Sequence, residues 1–164
     1  TNKQVIGVGK EAQYPTLNSK GTKLAYVKEN DLYVMDLMSQ KVKRITKDGE
    51  YNTSINGAVD WVYEEEFALI KAYDWSPDSK FIAYLKFDER DVKEFSMTFY
   101  NELYPDSYDF KYPKAGEKNS KVGIHITDIA SGKKQEVFLG QYEYIPRMEW
   151  SPSMNQLILQ LKHI

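Results

Sequence analysis

The sequence has no cysteine, which excludes a disulfide framework, a thiolate nucleophile and a cysteine-ligated zinc, and leaves the redox compartment unreported. It has no apolar run near the roughly 20 residues that span a bilayer, and Thr1 to Lys10 lacks the charged start and apolar core of a signal peptide. The chain as it stands reads as soluble. Nor is there an excess of either charge: 22 Lys and Arg stand against 24 Asp and Glu, a net charge of -2 that offers no basic field for nucleic acid. No serine sits in a GxSxG elbow, so no serine nucleophile is recognisable in this chain. His125 and His163 lie in apolar strand patterns without a partner at metal-ligand spacing. GVGKEA, from Gly7, loosely fits a dinucleotide-binding glycine pattern, but Pro15 and a polar turn leave no room for the helix that pattern requires. No catalytic residue, metal or cofactor is expected of this chain.

What is abundant is aromatic surface, at 14% of residues and with 13 tyrosines, a composition that favours strands. Strand-like alternation appears at KLAYV (23–27), DLYVMDL (31–37) and KVKRIT (41–46), separated by polar turns, as in an antiparallel meander. A second set follows at KFIAYLKF (80–87), VGIHITDI (122–129) and KQEVFLG (134–140). Three segments superimpose: TLNSKGTKLAYV, DWSPDSKFIAYL and EWSPSMNQLILQL, with Trp75-Ser76-Pro77 matching Trp150-Ser151-Pro152 and Ala25-Tyr26 matching Ala83-Tyr84. Each runs through a tight polar turn into an apolar strand, the entry of a four-stranded propeller blade. Hairpins of a β-sandwich are the alternative. The predicted fold is all-β: antiparallel four-stranded blades of an incomplete β-propeller, about two to three blades, occupying 1–164 as one partial domain. Closed propellers take about four to eight blades, so the chain is expected to be a piece of a larger protein.

Two segments stand outside this meander. Between Asp88 and Lys121 lies an aromatic insertion in which FSMTFY and YDFKY read as two strands of an extended arm near 94–114, either packed on its own domain or used as an interface. The other is DWVYEEEF. Asp60 can cap a short helix near 60–67, and acids in its first turn complement the helix dipole. Neighbouring helical positions are about 100° apart, so two of the three acids can converge on one cation while the third faces elsewhere. A primary ammonium, with three donors, suits such a pair.

DWVYEEEF, then DWSPDSKFIAYLKFDE, then KYPKAGEKNSKVGIHITD closely resemble the N-terminal propeller of the dipeptidyl peptidase IV family, within the prolyl oligopeptidase group, from about Lys23 to Gly132, with a wording nearer to bacterial members. The resemblance implies an eight-bladed propeller and a C-terminal α/β-hydrolase domain, absent here, carrying a Ser, Asp and His triad. It implies release of Xaa-Pro or Xaa-Ala dipeptides from peptide N-termini, a homodimer formed through the arm, and a periplasmic or extracellular location. In the family a double-glutamate motif binds the substrate α-amino group, and the matching residues are Glu65 and Glu66, with Glu64 left facing elsewhere. An arginine contributed by an earlier blade, the later blades and the triad are not in this sequence. The competing expectations are a non-enzymatic propeller that serves as an interaction module, or a tripeptidyl or acylaminoacyl peptidase with a different amine anchor.

Overall fold

The computed structural model describes residues 7–163. The first sheet is a four-stranded antiparallel meander of β1 (Gln13–Leu17), β2 (Lys23–Lys28), β3 (Asp31–Asp36) and β4 (Val42–Arg44) in that order. Its β2–β3 hairpin turns on Glu29 and Asn30 alone, at φ 50° and 60°, the paired left-handed conformation whose twist matches that of the flanking strands. β4 is shorter than the 41–46 strand expected from sequence. Ile45 and Thr46 instead fold inward, where the Thr46 hydroxyl accepts the Leu32 N–H at 2.9 Å and also hydrogen-bonds the buried Asp31 carboxylate. Arg44 Nε at 3.0 Å, the Gly49 N–H at 3.1 Å and the Asn56 side-chain amide at 3.3 Å complete the ring of donors around Asp31.

The second blade is built around β7 (Phe81–Asp88), and its edge position is split between β5 (Ser54–Asn56) and β6 (Tyr73–Trp75). β5 pairs with the far end of β7, Ser54 opposite Asp88, and β6 pairs with the near part, Tyr73 opposite Tyr84. The chain between them makes an excursion that contains the helix α1 (Trp61–Phe67). Beyond β7 the arm appears as a separate two-stranded sheet, β8 (Glu94–Phe99) with β9 (Asp106–Lys111), before the blade resumes in β10 (Lys121–Asp128) and β11 (Lys134–Val137). The aromatic insertion is therefore an excursion between two adjacent strands of one blade. β11 stops three residues short of the end of the expected 134–140 strand: the Val122 carbonyl, next along that edge of β10, accepts the Tyr142 hydroxyl at 2.7 Å instead, and Phe138 points to solvent. A third hairpin, β12 (Tyr144–Trp150) with β13 (Leu157–Lys162), follows.

The three superimposable sequence segments are the first hairpins of the three units, β1–β2, β6–β7 and β12–β13. Different residues perform one turn chemistry in the first two. The Asn18 side chain accepts the Lys23 N–H at 2.9 Å, and the Ser76 hydroxyl accepts the Phe81 N–H at 2.9 Å. Gly21 and Ser79 both take positive φ at the matching place, 62° and 63°. Neighbouring blades are cross-linked: Tyr73 donates its hydroxyl to the Ala25 carbonyl at 3.0 Å, the Trp75 indole donates to the Thr16 carbonyl at 3.2 Å, and Asp74 accepts the Trp150 N–H at 2.9 Å. A continuous core of Val27, Leu32, Ile82, Leu85, Phe87 and Ile124 fills the space between sheets. Complete burial of each such side chain stabilises by about 1.5–3 kcal/mol. The Gly7 segment opens no helix; it makes a turn at Lys10 and Glu11 and enters β1.

Candidate functional site

A seven-residue helix is too short to persist alone in water, so α1 exists because the blades hold it. Asp60 caps it as expected, with φ -81° and ψ 176°, its side chain accepting the Tyr63 N–H at 3.0 Å. The other carboxylate oxygen of Asp60 accepts the Ser120 hydroxyl at 2.6 Å, which ties the start of the helix to the chain that returns from the arm into β10. Burial pushes the Asp60 carboxyl above its usual range, and the Ser120 and backbone hydrogen bonds oppose the shift.

On its inner face, Tyr63 stands edge-on to Phe87 at 4.8 Å and to Phe67 at 5.2 Å. Its hydroxyl accepts the Ile145 N–H at 2.8 Å, joining the helix to the third hairpin. Ala68 ends the helix in the left-handed conformation, φ 51° and ψ 36°. Arg147 donates to the Phe67 carbonyl at 2.8 Å, a cation placed where the helix dipole is negative. At the other end Trp61 packs on Tyr112, at the root of the arm, with ring centres 4.4 Å apart. The root itself is closed by the Tyr112 N–H donating to the Lys93 carbonyl at 3.0 Å.

With Val62 and Tyr63 buried, the three acids are left on the solvent side, and all three are exposed. They do not share one environment. Glu64 lines a cleft of about 380 Å³ beneath the arm together with Asp60, Trp61, Glu89, Tyr108 and Phe110, whereas Glu65 and Glu66 lie outside it. The charge of Glu66 is felt instead at Tyr144 on the opposite flank.

The other sequence candidates fall elsewhere. His125 stacks on Tyr84 at 5.4 Å, and burial lowers its imidazole below the usual value. His163 is exposed just after β13, and both histidines line one broad hollow between the second and third units. Among the described residues no group of three or more His, Asp or Glu is arranged to hold a metal. Sequence reasoning did not anticipate Ser120, Arg147 or Glu89, because each acts on α1 or its cleft through tertiary contact with no local pattern of its own.

Two four-stranded antiparallel blades, a third hairpin, a helix with three exposed acids spliced into one blade edge and an arm spliced between two strands define a propeller segment. The chain belongs to the dipeptidyl peptidase IV N-terminal region family, whose model matches residues 2–162. It is 42% identical over 118 residues to human prolyl endopeptidase FAP, covering 71% of this chain and 16% of that protein. It is 40% identical over 123 residues to bovine dipeptidyl peptidase 4, covering 73% of this chain and 16% of that protein. The crystal structure of Porphyromonas gingivalis dipeptidyl peptidase 4 superimposes with a TM-score of 0.89 at 37% identity, over 94% of this chain and 22% of that one. The chain thus spans 16% of the length of these curated relatives. Among the described residues no helix is long and apolar enough to cross a membrane.

Proposed function

We propose that this chain is the amine-anchoring part of the propeller of a serine-type dipeptidyl peptidase, with Glu65 and Glu66 receiving the α-ammonium group of a peptide substrate. The observation that carries the reading is two adjacent exposed carboxylates on a helix fastened at both ends and along its buried face, by Ser120, Arg147 and Tyr63. Two acceptors on a rigid support match the three donors of a primary ammonium, and preorganisation spares the cost of ordering them on binding. Glu64 turned into the cleft supports assigning it the bystander role.

Fixing the ammonium at one point leaves room for two residues before the scissile bond meets a nucleophile. The propeller is then the ruler, and a C-terminal α/β-hydrolase domain with a Ser, Asp and His triad is the chemical centre. Release of Xaa-Pro and Xaa-Ala dipeptides, in the periplasm or outside the cell, completes the reading. The arm tip exposes Phe99, Tyr100, Leu103 and Tyr104, an apolar group suited to a homodimer contact.

In the intact protein, Glu65→Ala or Glu66→Ala lowers kcat/KM for free-amine Xaa-Pro substrates at least tenfold, about 1.4 kcal/mol. Unchanged kinetics would remove both acids from the site. The length of the product cut from a proline-containing peptide separates this reading from endopeptidase or tripeptidyl cleavage.

A further inference from the structure

The cleft between α1 and the arm has a floor that the amine site does not use. Glu89, directly after β7, is 5% exposed, and its backbone is pinned by the Glu89 N–H donating to the Thr53 carbonyl at 2.9 Å. Its carboxylate borders the cleft and has no hydrogen-bond or ion-pair partner among the described residues. A nearly buried carboxylate without a partner is costly, since burial strips most of its water and no donor replaces it.

Among the described residues, no other charged group at the cleft makes a hydrogen bond or ion pair with it. The two oxygens of Asp60 are engaged by Tyr63 and Ser120, and its negative charge repels Glu89. Glu64 stands at the exposed rim with the same sign. Lys111, the single cation on the walls among the described residues, favours the Glu89 charge at a distance but donates to the Val92 carbonyl at 2.9 Å and lies 3.4 Å from Glu94. Beside Asn30, Asn52 and the aliphatic Ile55, Val59 and Met97, the walls carry aromatic faces: Tyr51 and Tyr108 lie 6.3 Å apart, Tyr108 stacks on Phe110 at 5.6 Å, and Trp61 closes the helix side. The Tyr51 hydroxyl is committed to the Asp109 carbonyl at 2.7 Å, which also fixes that wall to the arm.

We propose that this cleft is a binding site for a guanidinium group, the side chain of an arginine in a peptide or protein, with Glu89 as the acceptor at its floor. A guanidinium is planar and weakly hydrated: it can lay its face on Tyr51, Trp61 or Tyr108 and present two parallel N–H groups edge-on to one carboxylate. An ammonium is a strongly hydrated point charge that gains less from aromatic walls. Burial and the Asp60 charge raise Glu89 to about 7, so the arriving cation displaces a proton from part of the population. This site is independent of Glu65 and Glu66.

The test titrates the intact protein with N-acetyl-L-arginine amide, which lacks a free amine, and follows the Trp61 indole resonance by NMR. Saturable binding is expected, at least fivefold weaker for N-acetyl-L-citrulline amide and for the Glu89→Gln variant, and unchanged in Glu65→Ala and Glu66→Ala. Equal binding of citrulline, equal binding by Glu89→Gln, or no saturation with arginine overturns the proposal. Equal binding of N-acetyl-L-lysine amide overturns the choice of guanidinium. Thermal melting of Glu89→Gln at pH 8 serves as the fold control. A melting temperature at or above wild type is expected, and a lower one would mean that Lys111 already satisfies Glu89, which also overturns the proposal.

Discussion

The Tyr63 hydroxyl accepts the Ile145 N–H at 2.8 Å across 82 residues of chain, and so joins the acid-bearing helix to the neighbouring blade. Tyr63→Phe keeps the ring against Phe87 but strands a buried N–H. The variant should lose about 1–3 kcal/mol, read as a lower urea midpoint with an unchanged slope. With Glu65 and Glu66 as the amine anchor, KM for free-amine substrates rises in the same variant while kcat changes less, because the loss falls on the support of the anchor.

Asp60→Ala removes the helix cap and the acceptor of Ser120 together, and about 1–2 kcal/mol of stability should go with it. Ser120→Ala should cost less, since the cap to Tyr63 survives. Chemical denaturation of both variants checks the order, and equal losses would show that the cap contributes nothing of its own.

Glu89 gives stability a defined pH dependence. Its carboxyl is raised from the ordinary 4.5 to about 7 in the fold, so the unfolded chain ionises it first. The stability it contributes is complete below about pH 4.5 and is lost as pH rises through about 7. By pH 8 the loss from this group is about 3 kcal/mol. Glu89→Gln should therefore be more stable than wild type at pH 8, and the gap should close at pH 4.5. Parallel denaturation curves at the two pH values test this.

Much of this was legible in the sequence, and unevenly so. Asp60 before an aromatic and acidic run announced the capped helix, and the three superimposable segments announced the first hairpin of each unit, because turn chemistry and alternation are local. The interruption of the blade edge was not legible: Ser54–Asn56 is three residues long, and only its pairing with Lys86, Phe87 and Asp88 makes it a strand. Glu89 likewise sits in the polar run KFDER and reads as a solvent-facing turn. Its burial comes from Thr53 and the arm, which lie far away along the chain.

Gly49 shows a tight backbone approach that tolerates no side chain. A Cβ there would meet the Asn30 carbonyl carbon and oxygen at 2.4 Å, and would press on the Asp31 carboxylate whose donor it supplies. Gly49→Ala should cost about 1–3 kcal/mol or more by overpacking, read as a fall in melting temperature. Gly7→Ala, where a Cβ meets nothing, is the matched control.

The arm closes on itself at Lys93 and Tyr112, so Glu94–Lys111 can be replaced by a short link without opening the blade. In the intact protein this deletion should convert the proposed dimer to monomer in sedimentation velocity. A dimer that survives it places the interface elsewhere.

The neck of the helical excursion is stitched shut on β7: the Gly57 N–H donates to the Leu85 carbonyl at 3.0 Å, the Leu85 N–H to the Ala72 carbonyl at 2.8 Å and the Ala72 N–H to the Gly57 carbonyl at 2.9 Å. The chain leaves the blade and re-enters it at one point, so the strands fix where the excursion is rooted, and its content meets them through Tyr63, packed on Phe87 and bonded to Ile145, and through Asp60, bonded to Ser120. Residues 58–71 therefore form a cassette. Descent with modification can recharge its exposed face, Glu64 to Glu66, without re-solving the fold, so long as Asp60, Tyr63 and Phe67 keep their contacts with the blades.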